Sequence, residues 1–165
     1  MATQPSIPNV TDTKKFATVN SVTFNIETGL FVLQTQITAL QLKALRATPI
    51  TLIPAGVQIG EAIICDRIHL SYNFVTTAYT LNAGTLKVFY GPVANAHALT
   101  VDLATSFLTA AASRKIIGVN PLVIGSDTFT NTTLQPIIIA NDGAAEYTLG
   151  DATLTVTIEY SKTTP

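Results

Sequence analysis

The side chains best suited to chemistry are scarce here: the 165-residue sequence holds one cysteine and two histidines. Cys65 and His69 are separated as C-x₃-H, a spacing that invites comparison with a metal site. The residues around them alternate as a strand does, however, and four residues of strand span about 13 Å, too far for both to reach one ion. A buried thiol and an exposed imidazole are the simpler expectation. His97 lies in the loop-like stretch Ala94-Asn95-Ala96-His97-Ala98 with no acid or thiol nearby, which suits a solvent or interface imidazole. Asp66 beside Arg67, and Asp142, Glu146 and Asp151 further on, form the one conceivable carboxylate set. Yet Asn141-Asp142-Gly143 and Gly150-Asp151 read as turn chemistry, and no D-x-D-x-D loop for calcium is present. No glycine pattern of the dinucleotide or Walker type occurs. The expectation is a protein without catalytic residues, metal or cofactor.

Composition points the same way. Charged residues make up 12% of the chain, against about 25% in an average soluble domain, while apolar residues make up 47%. Threonine fills the gap, as in Thr153-Leu154-Thr155-Val156-Thr157, giving a neutral, β-prone surface. Nine basic and ten acidic residues leave a formal net charge of −1, which disfavours nucleic acid as a partner because a phosphate backbone is held by many Lys and Arg contacts. The longest apolar runs, such as Ile137-Ile138-Ile139-Ala140, fall far short of the ~20 residues that span a bilayer, so no membrane segment is expected. The start of the chain lacks the basic and apolar regions of a secretory signal, so cytosolic synthesis is expected. On that reading Asn9-Val10-Thr11 and Asn131-Thr132-Thr133 are chance matches to the glycosylation pattern, and a lone Cys65 excludes an internal disulfide.

The elements that must position these groups are mostly strands. Residues 1–15, with Pro5, Pro8, Asn9 and several threonines, read as an extended arm, and residues 16–165 as one β-sandwich domain. Val22, Phe24 and Ile26 alternate with Thr23 and Asn25 as in a half-buried strand, and Glu27-Thr28-Gly29 turns the chain into a second strand over Leu30 to Ile37. Thr38 caps a helix of about two turns that ends before Pro49. Ile50 to Pro54 make a brief strand. A longer one follows from about Glu61 to Val75, with Ile68, Leu70, Tyr72 and Phe74 on the core face, Arg67, His69, Ser71 and Asn73 on the other, and a bulge near Cys65-Asp66. Leu86, Val88 and Tyr90 face inward and leave Phe89 on the outer face. Asp102 caps a second helix through Leu103, Phe107 and Ala111. Strands near Lys115–Val119 and Leu134–Ala140, and the alternation of Leu154, Val156, Ile158 and Tyr160, complete the set. With no βαβ rhythm and no internal repeat, this is an all-β antiparallel sandwich, jelly-roll-like, with one or two short helices.

Three segments carry a family likeness: Ala47-Thr48-Pro49-Ile50-Thr51-Leu52-Ile53-Pro54-Ala55; Ala78-Tyr79-Thr80 before Leu86-Lys87-Val88-Phe89-Tyr90-Gly91; and Gly150 to Tyr160. Over roughly residues 35 to 165 the sequence resembles the jelly-roll cement, or decoration, proteins of tailed bacteriophage heads. The resemblance implies a structural virion protein, made in the host cytoplasm, that sits as a homotrimer on the outer capsid surface and braces contacts between major capsid subunits. Candidate interface residues are Ile7, Pro8 and Val10, which have no reason to be apolar in a free arm, and the outward Phe89. A trimeric tail-fibre or receptor-binding head is the alternative, though it calls for exposed aromatics that a chain without Trp hardly supplies. A β-sandwich enzyme of the cupin or lyase type would require clustered His or acids on facing strands.

Overall fold

A computed structural model of the chain describes residues 20–25, 29–56, 62–91, 97–119 and 135–163. The expected arm, residues 1–15, lies outside them. In chain order the elements are β1 (Asn20–Asn25), β2 (Leu30–Ile37), α1 (Ala39–Lys43), β3 (Ile50–Ile53), β4 (Ala62–Asn73), β5 (Tyr79–Thr80), β6 (Lys87–Tyr90), β7 (His97–Ala98), α2 (Ala104–Phe107), β8 (Arg114–Val119), β9 (Ile137–Ala140), β10 (Thr148–Leu149) and β11 (Thr153–Thr163). They form a five-stranded sheet in the order β1-β2-β11-β4-β8, a four-stranded sheet β3-β9-β6-β7, and the small pair β10-β5. Every pairing among them is antiparallel, so the all-β class read from the sequence is the observed one.

β4 and β11 pair at the centre of the larger sheet and set the core. Leu154, Val156, Ile158 and Tyr160 of β11 are buried beside Ile68, Leu70 and Tyr72 of β4. The expected bulge is present: Glu159 pairs with Arg67 and Tyr160 with Cys65, which leaves Asp66 as the extra residue. Cys65 and Ile68 are three residues apart and would face opposite ways in a regular strand; the bulge turns both into the core.

β9 is buried on both faces, and this corrects the expectation for Phe89. Ile137 and Ile139 point into the main core, while Ile138 and Ala140 form a second small cluster with Phe89 and Ala98. Phe89 does lie on the face turned away from the main core. It is only 3% exposed there, clustered with its in-register neighbours Ile138 and Ala98. Alternation assigns a face, not an exposure.

β1 departs in the other direction. Its apolar side extends the core face of the five-stranded sheet, with the Phe24 ring tilted against Phe31 at 5.0 Å and Phe31 stacked on Tyr160 at 5.3 Å. The facing sheet has one strand fewer, and Val22 and Phe24 remain about half exposed.

Both helices are shorter than expected. In α1 the Thr38 hydroxyl accepts from Gln41 N and the Gln41 side chain accepts from Thr38 N, a capping box. The Glu146 carboxylate then takes the N–H groups of Arg46 and Ala47 at 2.9 and 2.7 Å, which an extended helix would need for its own ladder. In α2 the N-cap is Leu103, which makes no side-chain cap bond; Asp102, the expected cap, stands one residue earlier and accepts from Ala104 N and from Leu86 N. Past the end of α2 Ala110 N bonds the Phe107 carbonyl three residues back, and the Leu108 carbonyl accepts from Tyr79 N and the Tyr72 hydroxyl.

Candidate interaction surface

Among the described residues, those with reactive side chains are dispersed through the fold. Cys65 faces the core and His69 the opposite side of the same sheet, so the bulge separates them by the thickness of the sheet as well as by distance. Cys65 N donates to the Tyr90 hydroxyl at 3.1 Å, and that hydroxyl donates to the Ile63 carbonyl at 2.7 Å. Burial, reinforced by the charge of Asp66, pushes the thiol up to about 12. Because the thiolate is the reactive form, Cys65 is expected to resist a thiol reagent in the native protein and to react at the rate of an ordinary cysteine once denatured. Rapid native labelling, followed by mass spectrometry, would refute the buried placement. His97 falls in β7 opposite Tyr90 rather than in a loop. Among the described residues no three His, Cys, Asp or Glu side chains group to hold a metal ion, and no helix is long and apolar enough to cross a membrane.

The acids near the C-terminal turns act as clamps between loops at one end of the sandwich. Asp142 accepts from the Thr85 hydroxyl and from Lys87 Nζ at 2.9 Å. Burial opposes its charge, but those partners outweigh burial and hold its carboxyl below the usual carboxylate range. Asp151 accepts from the Thr76 hydroxyl and from the amides of Thr76 and Thr77, which lower its carboxyl as well. Asn141 bridges Thr85 N, Gly143 N and the Ala145 carbonyl. Gly143 fits under the Asn82-Ala83 turn, where a Cβ would overlap the Ala83 carbonyl and come within 2.7 Å of Gly84 Cα.

These clamps hold three apolar side chains in solvent. Leu40 is 76% exposed, Val75 60% and Leu149 65%. Their segments are tied together: Lys43, one helical turn after Leu40, reaches the Gly150 carbonyl at 3.4 Å, and the residues after Val75 bind Asp151. Leu149 has φ of +55°, a left-handed conformation that costs a non-glycine residue about 1–2 kcal/mol. It persists because both sides are fixed. Leu149 pairs with Tyr79 across β10 and β5, and Gly150 lies against the Tyr79 ring so closely that no Cβ fits. A strained backbone that displays a leucine to water is a reason to look for a partner.

The outer face of the five-stranded sheet offers a second, polar surface. Register places Gln34, Thr157 and His69 in one row across β2, β11 and β4, with Gln36, Thr155 and Ser71 in the next. A groove of ≈ 420 Å³ is lined by Gln34, His69, Ser71, Thr155, Thr157 and Glu159. Glu159 lies 3.5 Å from His69 Nε2 and 3.9 Å from Arg67 Nη1. The first approach is not aligned as a hydrogen bond, and His69 Nε2, shielded from solvent, has none.

Neither surface is legible in the sequence as a site. Ile7, Pro8 and Val10 lie outside the described residues, and Phe89 is buried rather than displayed. Leu40 was detectable only as the apolar residue off the stripe made by buried Leu42 and Leu45. No family model, known protein or solved structure matches the chain.

Proposed function

We propose that this chain is a capsid cement protein with a jelly-roll fold, a structural protein that binds the outer surface of a bacteriophage head as a homotrimer. The observation that carries the reading is the rigid loop end that presents Leu40, Val75 and Leu149 while its polar groups are satisfied internally. Such a surface has no chemistry to perform and a reason to be covered. Among the described residues the cysteine, the histidines and the acids do not gather into one site, which supports a reading that assigns no catalytic residue.

Strand pairing supports the jelly-roll part. Leaving aside β1, β5 and β10, eight strands pair first with last (β2 with β11), second with seventh (β3 with β9), third with sixth (β4 with β8) and fourth with fifth (β6 with β7). That is a long hairpin rolled up so that successive pairs alternate between the two sheets, which the jelly roll's double Greek key requires. The two sheets take their strands accordingly.

Energetics favour an oligomer. Fully burying a Leu or Val side chain contributes about 1.5–3 kcal/mol, so three partly exposed ones suffice only for weak attachment by one copy once association entropy is subtracted. Three linked copies engaging neighbouring capsid subunits multiply that weak contact by effective concentration. Light scattering on the purified protein is expected to give three times 17.5 kDa, and sedimentation with undecorated heads a fixed stoichiometry. A trimer that ignores heads but binds host cells would replace this reading with the receptor-binding one.

A further inference from the structure

The hydrogen-bonding groups on the outer face of the five-stranded sheet are not used by the capsid contact proposed above. We propose that the groove across β2, β11 and β4 binds a neutral saccharide, independently of that contact. Besides Leu70, its lining consists of an amide (Gln34), three hydroxyls (Ser71, Thr155, Thr157), an imidazole (His69) and a carboxylate (Glu159). Hydroxyls and amides donate and accept alike, as sugar hydroxyls do, and a carboxylate accepts from two of them at once. His69 Nε2, which has no hydrogen-bond partner, adds a group whose desolvation is uncompensated until a ligand hydroxyl meets it.

Other ligand classes fit less well. The Leu70 side chain is turned into the core, so an apolar molecule finds little to bury against. Glu159 repels phosphate, and Arg67 is already its neighbour at 3.9 Å. A metal ion would find a single imidazole and a single carboxylate.

Size and rigidity agree with a ligand of one or two rings. The volume, ≈ 420 Å³, falls at the small-molecule end of the ~300–1,000 Å³ range of ligand sites. Strands about 4.8 Å apart, with outward residues about 6.7 Å apart along each, array the polar groups over roughly 10 by 13 Å. All six side chains stand on central strands rather than loops, which lowers the ordering cost of binding. Without an aromatic platform for the sugar ring, affinity at one groove is expected near the millimolar range.

The test is an amide-resolved NMR titration of the full chain with maltose, lactose and N,N′-diacetylchitobiose, each to about 10 mM, with inorganic phosphate as a separate arm. At least one sugar is expected to give saturable shifts centred on Gln34, His69, Ser71, Thr155, Thr157 and Glu159. Thr157→Val and Glu159→Gln should each weaken it by about fivefold or more without moving the thermal midpoint. Shifts with no sugar, shifts that survive both substitutions, or a response to phosphate alone would overturn the proposal. So would shifts at these residues that follow protein concentration without sugar, since another copy would then cover the face. Head binding is read separately by sedimentation, so either proposal can fail alone.

Discussion

Taken through alkaline pH, the protein is expected to keep four phenols, those of Tyr72, Tyr79, Tyr90 and Tyr147, protonated past the pH at which free tyrosine titrates, and then to unfold and ionise them in one step. All five tyrosines of the chain are buried. Four of them donate to a backbone carbonyl on another segment: Tyr72 to Leu108, Tyr79 to Ala152, Tyr90 to Ile63 and Tyr147 to Thr85. Burial is the main cause that raises each of these four, with Asp151 acting further on Tyr72 and Tyr79, and Asp102, Glu146 and Asp142 on Tyr147. Tyr90 is pushed up to about 12. Losing the proton would set a phenolate against a carbonyl oxygen inside the core, so ionisation and native packing exclude each other.

The sign follows from proton linkage. Unfolded phenols titrate near pH ~10, so the unfolded state releases protons first and the native state is disfavoured as pH rises beyond that point. Stability from these groups is complete below pH ~10 and is lost as pH climbs through the raised native values. Tyrosinate absorbance and far-ultraviolet circular dichroism, followed against pH, should change together. Graded ionisation near pH ~10 with an intact dichroism signal would sink the prediction. Tyr90→Phe should bring the transition to lower pH, since it leaves the Ile63 carbonyl and Cys65 N without their shared hydroxyl, at a cost of about 1–3 kcal/mol.

Those four tyrosines also mark how far the sequence could be read. Alternation placed Tyr72 and Tyr90 inward, gave β2 and β4 within a residue or two and found β11 as far as Tyr160, three residues short of its end, because a strand with one buried face writes its period into the chain. The extra residue at Asp66 was legible for the same reason, as a charge where the period demanded an apolar side chain. Tertiary partners left no such mark. Nothing local indicates that Glu146 ends α1 from 100 residues away, or that the Leu108 carbonyl is claimed by Tyr72 and Tyr79. β5, β7 and β10 are two residues each, too short to display a period. Phe89 and Val22 show the limit from both sides, since coverage depends on the neighbouring strand and the opposite sheet, neither of which is local. The surface of Leu40, Val75 and Leu149 was invisible because it is assembled from three segments by hydrogen bonds.

Leu149→Asn is expected to improve the fold and impair attachment to the capsid. Asn tolerates the left-handed backbone of this position better than Leu, and the side chain is 65% exposed, so little packing is lost. Thermal unfolding should therefore stay where it is or move slightly upward. Binding should fall, because the proposed contact loses its most strained and most deliberately displayed apolar group and must desolvate an amide instead. A loss of about 1.4 kcal/mol at one contact is tenfold, and in a trimer that engages all three contacts the losses compound towards a thousandfold. Leu40→Asn on the same patch should act in the same direction, whereas Ser71→Ala, on the outer face of the five-stranded sheet, should leave head binding unchanged. Sedimentation of each variant with undecorated heads, beside its melting curve, separates the two effects. If Leu149→Asn stabilises the domain and still binds heads like the parent, the strain at Leu149 has another origin and the patch is not the capsid contact. If stability holds while binding collapses, the energy stored in that turn is explained: the fold keeps a conformation that is unfavourable by itself because the assembly covers it.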